Sequence, residues 1–333
     1  MITTYDYIDS NKRKTVLLVF LFPISLLVLL FVAFYLTLSL YPALRVNNVP
    51  IVLQIIDRYW LFFLLCILFS TLWTVFSFYQ GSGLLLSTIS AIKTGKDYPQ
   101  NKEIQRILEN VSIAAGIPTP ALYVLEGEEG MNAFAVGTNK KNSAVVLTKG
   151  LVEKLDNSEL EAVIAHEVAH IIHQDTKLMV LVALLIGFFT YFGYIIIRLQ
   201  FGGRSSRNNS KGGIIILVIG LVFLLYGYVV APLLRLAMSR TREFQADAKS
   251  ALLTRNPQAL ISALRKIDGH PIINVFNSKV NDNELIAPMC IENPLKEKVS
   301  LFDALSNLSS THPPIEKRIQ ALEVMDGRGL FSY

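Results

Sequence analysis

Residues 158–197 read SELEAVIAHEVAHIIHQDTKLMVLVALLIGFFTYFGYIII, and this one stretch joins two kinds of material. Its first part sets acids, histidines and aliphatic residues at helical spacing and closes near Gln174. Ser158 followed three residues later by Glu161 is a capping-box pattern, which opens a helix there. Its second part, 178–197, holds no Asp, Glu, Lys, Arg or His. About 20 such residues suffice for an α-helix to cross the hydrocarbon core of a bilayer. A polar helix that runs straight into a membrane-length one sets the terms for the rest of the chain.

Three further stretches are equally free of charge: 15–40, 59–79 and 214–234. The chain of 333 residues is 52% hydrophobic and 17% charged, and these four runs hold the whole deficit. Outside them the charge density is that of an ordinary soluble domain. A buried core helix is the ordinary alternative for one such run, but four together exclude a wholly soluble protein. The long polar remainder equally excludes a bare helical bundle. Lys12, Arg13 and Lys14 precede the first run as they would in a signal peptide. That run exceeds the ~7–15 residues of a signal core and no small-x-small cleavage site follows, so it reads as a retained anchor. The net charge of +5 is dispersed, with no basic block, so no nucleic-acid partner is expected. Of the two cysteines, Cys66 lies in an apolar run and Cys290 in polar sequence, so no disulfide framework is expected.

The expected order is a short N-terminus (1–14), a span (15–40), a loop, a span (59–79), a polar stretch (80–177), a span (178–197), a flexible Gly/Ser/Asn-rich loop (198–213), a span (214–234) and a second polar stretch (235–333). Two hairpins give an even number of crossings, so both polar stretches and the N-terminus lie on one side and build one domain. Within it, 100–115 has amphipathic helical spacing ending at Gly116. Ala121–Leu125, Ala133–Val136 and Ala144–Leu147 read as short strands, the last either a sheet edge able to take a substrate strand or a buried structural strand. Residues 256–267 and 314–324 read as helices.

His166 and His170 are four apart on the first helix, so both imidazoles leave one face and can bind one metal ion. Glu167 sits a quarter turn round, placed to take a proton from a water activated by that metal. Two histidines need a third ligand. His173 is a poor one, because three successive helical turns do not converge on one tetrahedral ion. A longer histidine motif would need Gly and His where His173 and Thr176 stand. Glu243 is the better candidate, with Asp247 four residues on and suited to hold the outer N–H of a ligating histidine. The alternative is that both acids pair with Arg240 and Arg242 on a solvated helix. The second hairpin argues for the site, since it returns Glu243 to the membrane face where the first helix ended. His312, in THPP at 311–314, has two readings. It is either a donor to the developing oxyanion, held still by Pro313 and Pro314, or a cap at the entry to helix 314–324.

Several of these segments together resemble the HtpX-type membrane zinc metalloproteases, related to the CAAX prenyl proteases. They are Asn132-Ala133-Phe134-Ala135-Val136-Gly137, the strand at 144–148, HEVAH at 166–170 with Asp175 five residues beyond, SRTREFQAD at 239–247, and STHPPIEKRI at 310–319. Val136 departs from the Thr common in that family, and the 198–213 loop is more basic. The resemblance implies an α-helical membrane protein with four transmembrane helices plus a zincin-like α+β catalytic domain, mostly helical with a small sheet. It implies one zinc ion per subunit on His166, His170 and Glu243, with Glu167 as base and His312 at the active site. It also implies that Asn132 and Ala133 position substrate. Asp247 and Asp175 are the expected supporting acids, and Arg318 is expected to brace His312 through Asp175. The substrates implied are membrane proteins or peptides, in removal of misfolded or damaged membrane proteins. The implied place is a bacterial-type inner membrane with the catalytic domain cytosolic. Basic residues before the first span agree weakly with that orientation, while Arg198, Arg204, Arg207 and Lys211 oppose it.

Two other classes compete. A channel or transporter is disfavoured because no span carries an Asp, Glu, Lys, Arg or His. A catalytically silent metal-binding membrane scaffold has no need of Glu167.

Overall fold

The computed structural model describes residues 4–40, 50–88, 92–93, 99–125, 129–202, 216–226, 241–268, 290–291 and 313–326. In chain order the elements are α1 (Thr4–Leu40), α2 (Ile51–Thr88), β1 (Ile92–Lys93), α3 (Pro99–Ala115), β2 (Ala121–Leu125), β3 (Ala133–Gly137), β4 (Ser143–Thr148), α4 (Lys149–Lys154), α5 (Asn157–His173) and α6 (Asp175–Gly202). They continue with α7 (Ile216–Tyr226), α8 (Thr241–Thr254), α9 (Pro257–Asp268) and α10 (Ile315–Met325). The chain is mostly helical with one small sheet, and it divides into two compact units.

One unit comprises Met1–Lys12, Phe78–Leu181 and Arg235–Tyr333. Its sheet has the order β1-β2-β4-β3, with β2 and β4 parallel and β3 antiparallel to β4. Of the two readings of 144–147, sheet edge or buried interior strand, the structure gives the second. β4 is paired on both sides and buried along its whole length, and the edge strands are β1 and β3. The continuous apolar run of β4 is what an interior strand needs, because neither of its faces meets water. A tight turn joins β3 to β4, where the Lys141 and Asn142 amides donate to Asn139 Oδ1.

Helix α5 lies at the centre of this unit, buried from Glu159 to His173 except at Glu161. Its start is two residues earlier than Ser158 and Glu161 suggested. Asp156 is the cap, accepting from the Ser158 and Glu159 amides, and Glu159 Oε2 accepts from the Asp156 amide at 2.9 Å. The spacing is that of a capping box, but the ionised Asp156 holds two amides at the positive end of the helix dipole. Glu159 also receives Ser262 Oγ and Lys266 Nζ at 2.6 Å each, which ties α9 to the start of α5. Val163, Ile164, Val168 and Ile171 join Leu108, Leu147, Leu260, Leu264 and Leu322 in one core. At the other end Gln174 is left-handed, with φ 59°, so the chain turns and α6 begins at Asp175.

The other unit comprises Arg13–Ser77 and Val182–Leu234. Phe34 of α1 packs on Tyr59, Phe62 and Phe63 of α2, with ring centroids 4.7, 5.7 and 5.6 Å away. Helices α6 and α7 meet closely at glycines: a Cβ on Gly193 would lie 2.7 Å from the Leu224 amide nitrogen, and one on Gly220 would lie 2.8 Å from Ile196 Cγ2. Leu61, Leu64, Leu65, Leu68 and Leu72 of α2 face outward. Among the described residues one helix, Tyr59–Ser87, is long and apolar enough to cross a membrane. Pro23–Val32 and Ile216–Tyr226 are shorter apolar segments.

Candidate metal centre

The last turns of α5 face the first turns of α8. Ser250 Oγ donates to the Ala162 carbonyl at 2.7 Å and fixes the crossing of the two helices. The i,i+4 spacing then stacks His166 over His170 on α5, and Glu243 over Asp247 on α8. All four side chains are buried. The two imidazoles stand edge to face, and their Nε2 atoms are 3.2 Å apart. Glu243 Oε2 lies 3.7 Å from His166 Nε2 and Oε1 lies 3.8 Å from His170 Nε2. One ligand atom from each of the three residues falls within 4.8 Å of the others.

The outer nitrogen of each histidine meets a carboxylate. Asp247 Oδ1 is 2.9 Å from His166 Nδ1, and Asp175 Oδ2 is 3.0 Å from His170 Nδ1. Each acid holds the Nδ1–H tautomer and leaves the Nε2 lone pair facing Glu243. Two imidazole lone pairs and a carboxylate facing one another repel, and a cation among them removes the repulsion. The donor set of two nitrogens and one oxygen suits zinc with an open position.

The electrostatics follow from burial. Burial pulls His166 down to about 4 against the pull of Asp247. For His170 burial acts the same way, but Glu243 and Asp175 outweigh it and the net direction is up. Glu167 is buried beside the cluster, with the Ala135 backbone facing it, and burial pushes its carboxyl up to about 7. Asp247 would rise on burial, yet Arg318 holds it below the usual carboxylate range.

Arg318 is fully buried, and the acid it closes on is Asp247 rather than Asp175. Its Nε and Nη2 donate to Asp247 at 2.8 and 2.7 Å, and its Nη1 donates to the Ile291 carbonyl at 3.1 Å. Helix α10 packs on α8 and carries Arg318 to Asp247, while Asp175 serves His170. His312 lies outside the described residues.

Asn132 and Ala133 lie at the start of β3. Asn132 Oδ1 accepts from the Ala133 amide at 2.9 Å, and its side chain also holds the Cys290 thiol. The Ala133 carbonyl accepts from the Ile291 amide at 2.9 Å, and Phe134 bridges Cys290. His173 is buried, and the three converging donors do not include it. Sequence alone places Cys290 in a polar stretch, whereas it is buried, and offers Arg242 only as a solvated ion-pair partner. Arg242 is buried beside Glu243.

A model of peptidase family M48 matches residues 99–326, a span that includes α3, the sheet, α5, α8 and α10. The chain belongs to peptidase family M48. It is a metalloprotease of the HtpX type within that family. It is 35% identical over 328 residues to a protein of Dictyoglomus turgidum described as a protease HtpX homolog, covering 98% of this chain and 96% of that one. A Bacteroides fragilis protein of the same description is 36% identical over 254 residues, 75% of this chain and 76% of its own. The crystal structure of S. mikatae Ste24p aligns at a TM-score of 0.45 and 20% identity, over 81% of this chain and 60% of that one. The metal that an M48 peptidase requires has a possible site in His166, His170 and Glu243.

Proposed function

We propose that this chain is a membrane-integrated zinc endopeptidase, with one zinc ion held by His166, His170 and Glu243. The observation that carries the reading is the pair of carboxylate clamps. Asp247 and Asp175 hold the outer nitrogens of the two histidines, so both inner nitrogens converge with Glu243. Bound zinc lowers the pKa of its water to ~7 and polarises a carbonyl.

The chain's own groups do the rest. Glu167 takes the proton as a peptide carbonyl is attacked and returns it to the leaving amine. Asp247, braced by Arg318, and Asp175 keep the histidines in one tautomer throughout. His312 donates to the developing oxyanion. The peptide adds as a strand along the open edge of β3, beside Glu167. Asn132 and Ala133 anchor one end of that edge, where the Ala133 carbonyl takes the Ile291 amide, and the period of two puts Ala135 and Gly137 on the same side.

The uncharged stretches in α1, α2 and α6 and at 214–234 form four transmembrane helices. The outward leucines of α2 suit lipid, and the glycine contacts of α6 with α7 suit close helix packing in a bilayer. The N-terminus and catalytic unit lie in the cytosol at an inner membrane, and the substrates are misfolded or damaged membrane proteins. A silent scaffold is disfavoured by the placement of Glu167 at the cluster.

The test is metal analysis and casein cleavage by detergent-purified protein, with and without chelator, for wild type and Glu167→Gln. We expect chelator-sensitive cleavage in wild type, and in Glu167→Gln full zinc with almost no cleavage. A Glu167→Gln protein that cuts at the wild-type rate sinks the reading.

A further inference from the structure

Two guanidinium groups are buried at this centre, and they are used differently. Arg318 presents one edge of its fork, Nε and Nη2, to both oxygens of Asp247. Arg242, in the first turn of α8, is 4% exposed, and among the described residues the same two nitrogens, Nε and Nη2, are buried without a hydrogen bond. Its Nε stands 3.5 Å from Glu243 Oε1, a Coulombic contact too long for a good hydrogen bond. Asp175 feels the charge of Arg242, but its carboxylate bonds His170.

Unmatched donors on a buried cation are costly. Charge balance alone does not explain the arrangement, because it requires only a positive charge nearby. Arg318 shows how this chain closes a buried fork when a carboxylate is available to it. The unclosed Nε/Nη2 edge of Arg242 matches the same planar, two-oxygen partner.

We propose that the Nε/Nη2 edge of Arg242 is a carboxylate-binding subsite beside the metal centre, which takes a carboxylate of the peptide substrate. The two sources of that chemistry are the C-terminus and an acidic side chain. The proposal rests on the metal-site reading, since a cation on Glu243 offsets the charge that repels an incoming anion. Arg242 anchors substrate through its planar fork, which a lysine ammonium does not reproduce.

The test uses the full chain in detergent and one casein-derived fluorogenic peptide in three forms: free acid, C-terminal amide, and amide with Asp and Glu replaced by Asn and Gln. In wild type, removing the recognised carboxylate raises KM by about 10–100-fold with little change in kcat. The form at which the rise occurs identifies the source. Arg242→Lys and Arg242→Gln abolish the discrimination and keep wild-type metal content. Fluorescence anisotropy gives a readout without turnover. Glu167→Gln protein binds the carboxylate form more tightly, and adding Arg242→Lys removes that preference. Arg242→Met has a thermal midpoint at or above wild type, because a residue kept for a ligand weakens the empty fold.

Wild type that does not distinguish the three peptides overturns the proposal, and so does an Arg242→Lys protein that still does. Metal loss or unfolding in every Arg242 variant also overturns it, by showing that Arg242 only steadies Glu243. Failure of the underlying metal-site reading shows separately, as chelator-insensitive cleavage.

Discussion

Replacing Arg318 by Met tests the bracing of the metal centre from behind. The Arg318 guanidinium is fully buried; it donates to Asp247 at 2.8 and 2.7 Å and to the Ile291 carbonyl at 3.1 Å, and its Nη2 stands 3.5 Å from the His166 ring nitrogens. Unit charges about 4 Å apart at an effective dielectric of about 20 attract by ~4 kcal/mol. Removing one partner of a buried pair costs ~3–5 kcal/mol, because the other charge stays buried and uncompensated. Arg318→Met should therefore destabilise the metal-free protein by roughly 3–5 kcal/mol in denaturant unfolding. Using chelator-treated protein keeps metal linkage out of the comparison. Arg318→Met with Asp247→Leu removes both charges and should cost markedly less than the sum of the two single changes, by ~2 kcal/mol or more. In the metal-loaded protein Arg318→Met should also weaken zinc by ~10–100-fold, since Asp247 then no longer holds His166 firmly. A single variant within ~1 kcal/mol of wild type, or strictly additive costs, would refute the account of Arg318 as the brace of Asp247.

Other outcomes follow from the same geometry. Glu243→Ala should lose zinc under mild chelation, whereas Asp175→Asn should only weaken it by ~10–100-fold; equal stoichiometric zinc in both and in wild type removes Glu243 from the ligand set. Asp156→Ala should cost ~1 kcal/mol of stability through loss of the α5 cap. The Asp156 hydrogen bonds from Ser158 and Glu159 hold its carboxyl below the ordinary range, so the cap contributes above that range and fades as pH falls through the lowered value. The gap between wild type and Asp156→Ala, followed by unfolding against pH, should therefore close in acid, and a constant gap would contradict the capping account. His312→Phe should lower kcat by ~10²–10³-fold with zinc and stability unchanged, and unchanged turnover would leave His312 as a cap only.

Residues whose meaning is local were readable along the chain. His166 and His170 are four apart on one helix, so their common face follows from helical period alone, and Glu243 with Asp247 repeats the argument. The turn at Gly116, the helices around 100–115, 256–267 and 314–324, and the three core strands of the sheet were equally readable from spacing. Near misses came where two local solutions share a spacing. Ser158 with Glu161 and Asp156 with Glu159 have the same separation, and only the backbone decided that Asp156 begins α5. β4 fits an edge or an interior place equally well by sequence, because an apolar strand does not reveal how many partners it has.

What the sequence by itself determined is the shared face of His166 and His170 with Glu167 beside them, the shared face of Glu243 and Asp247, and the apolar runs, since each is local in the chain; packing then turned Glu243 toward the histidines. Only the tertiary structure decided that β3 is an edge, that Arg318 closes on Asp247 while Asp175 serves His170, and that Arg242 is buried with its Nε/Nη2 edge unclosed. Those pairings join residues 5 to 71 positions apart in the chain. They depend on how α8 and α10 pack against α5 and on burial, which removes competing water and leaves each charge only the partners that packing brings to it.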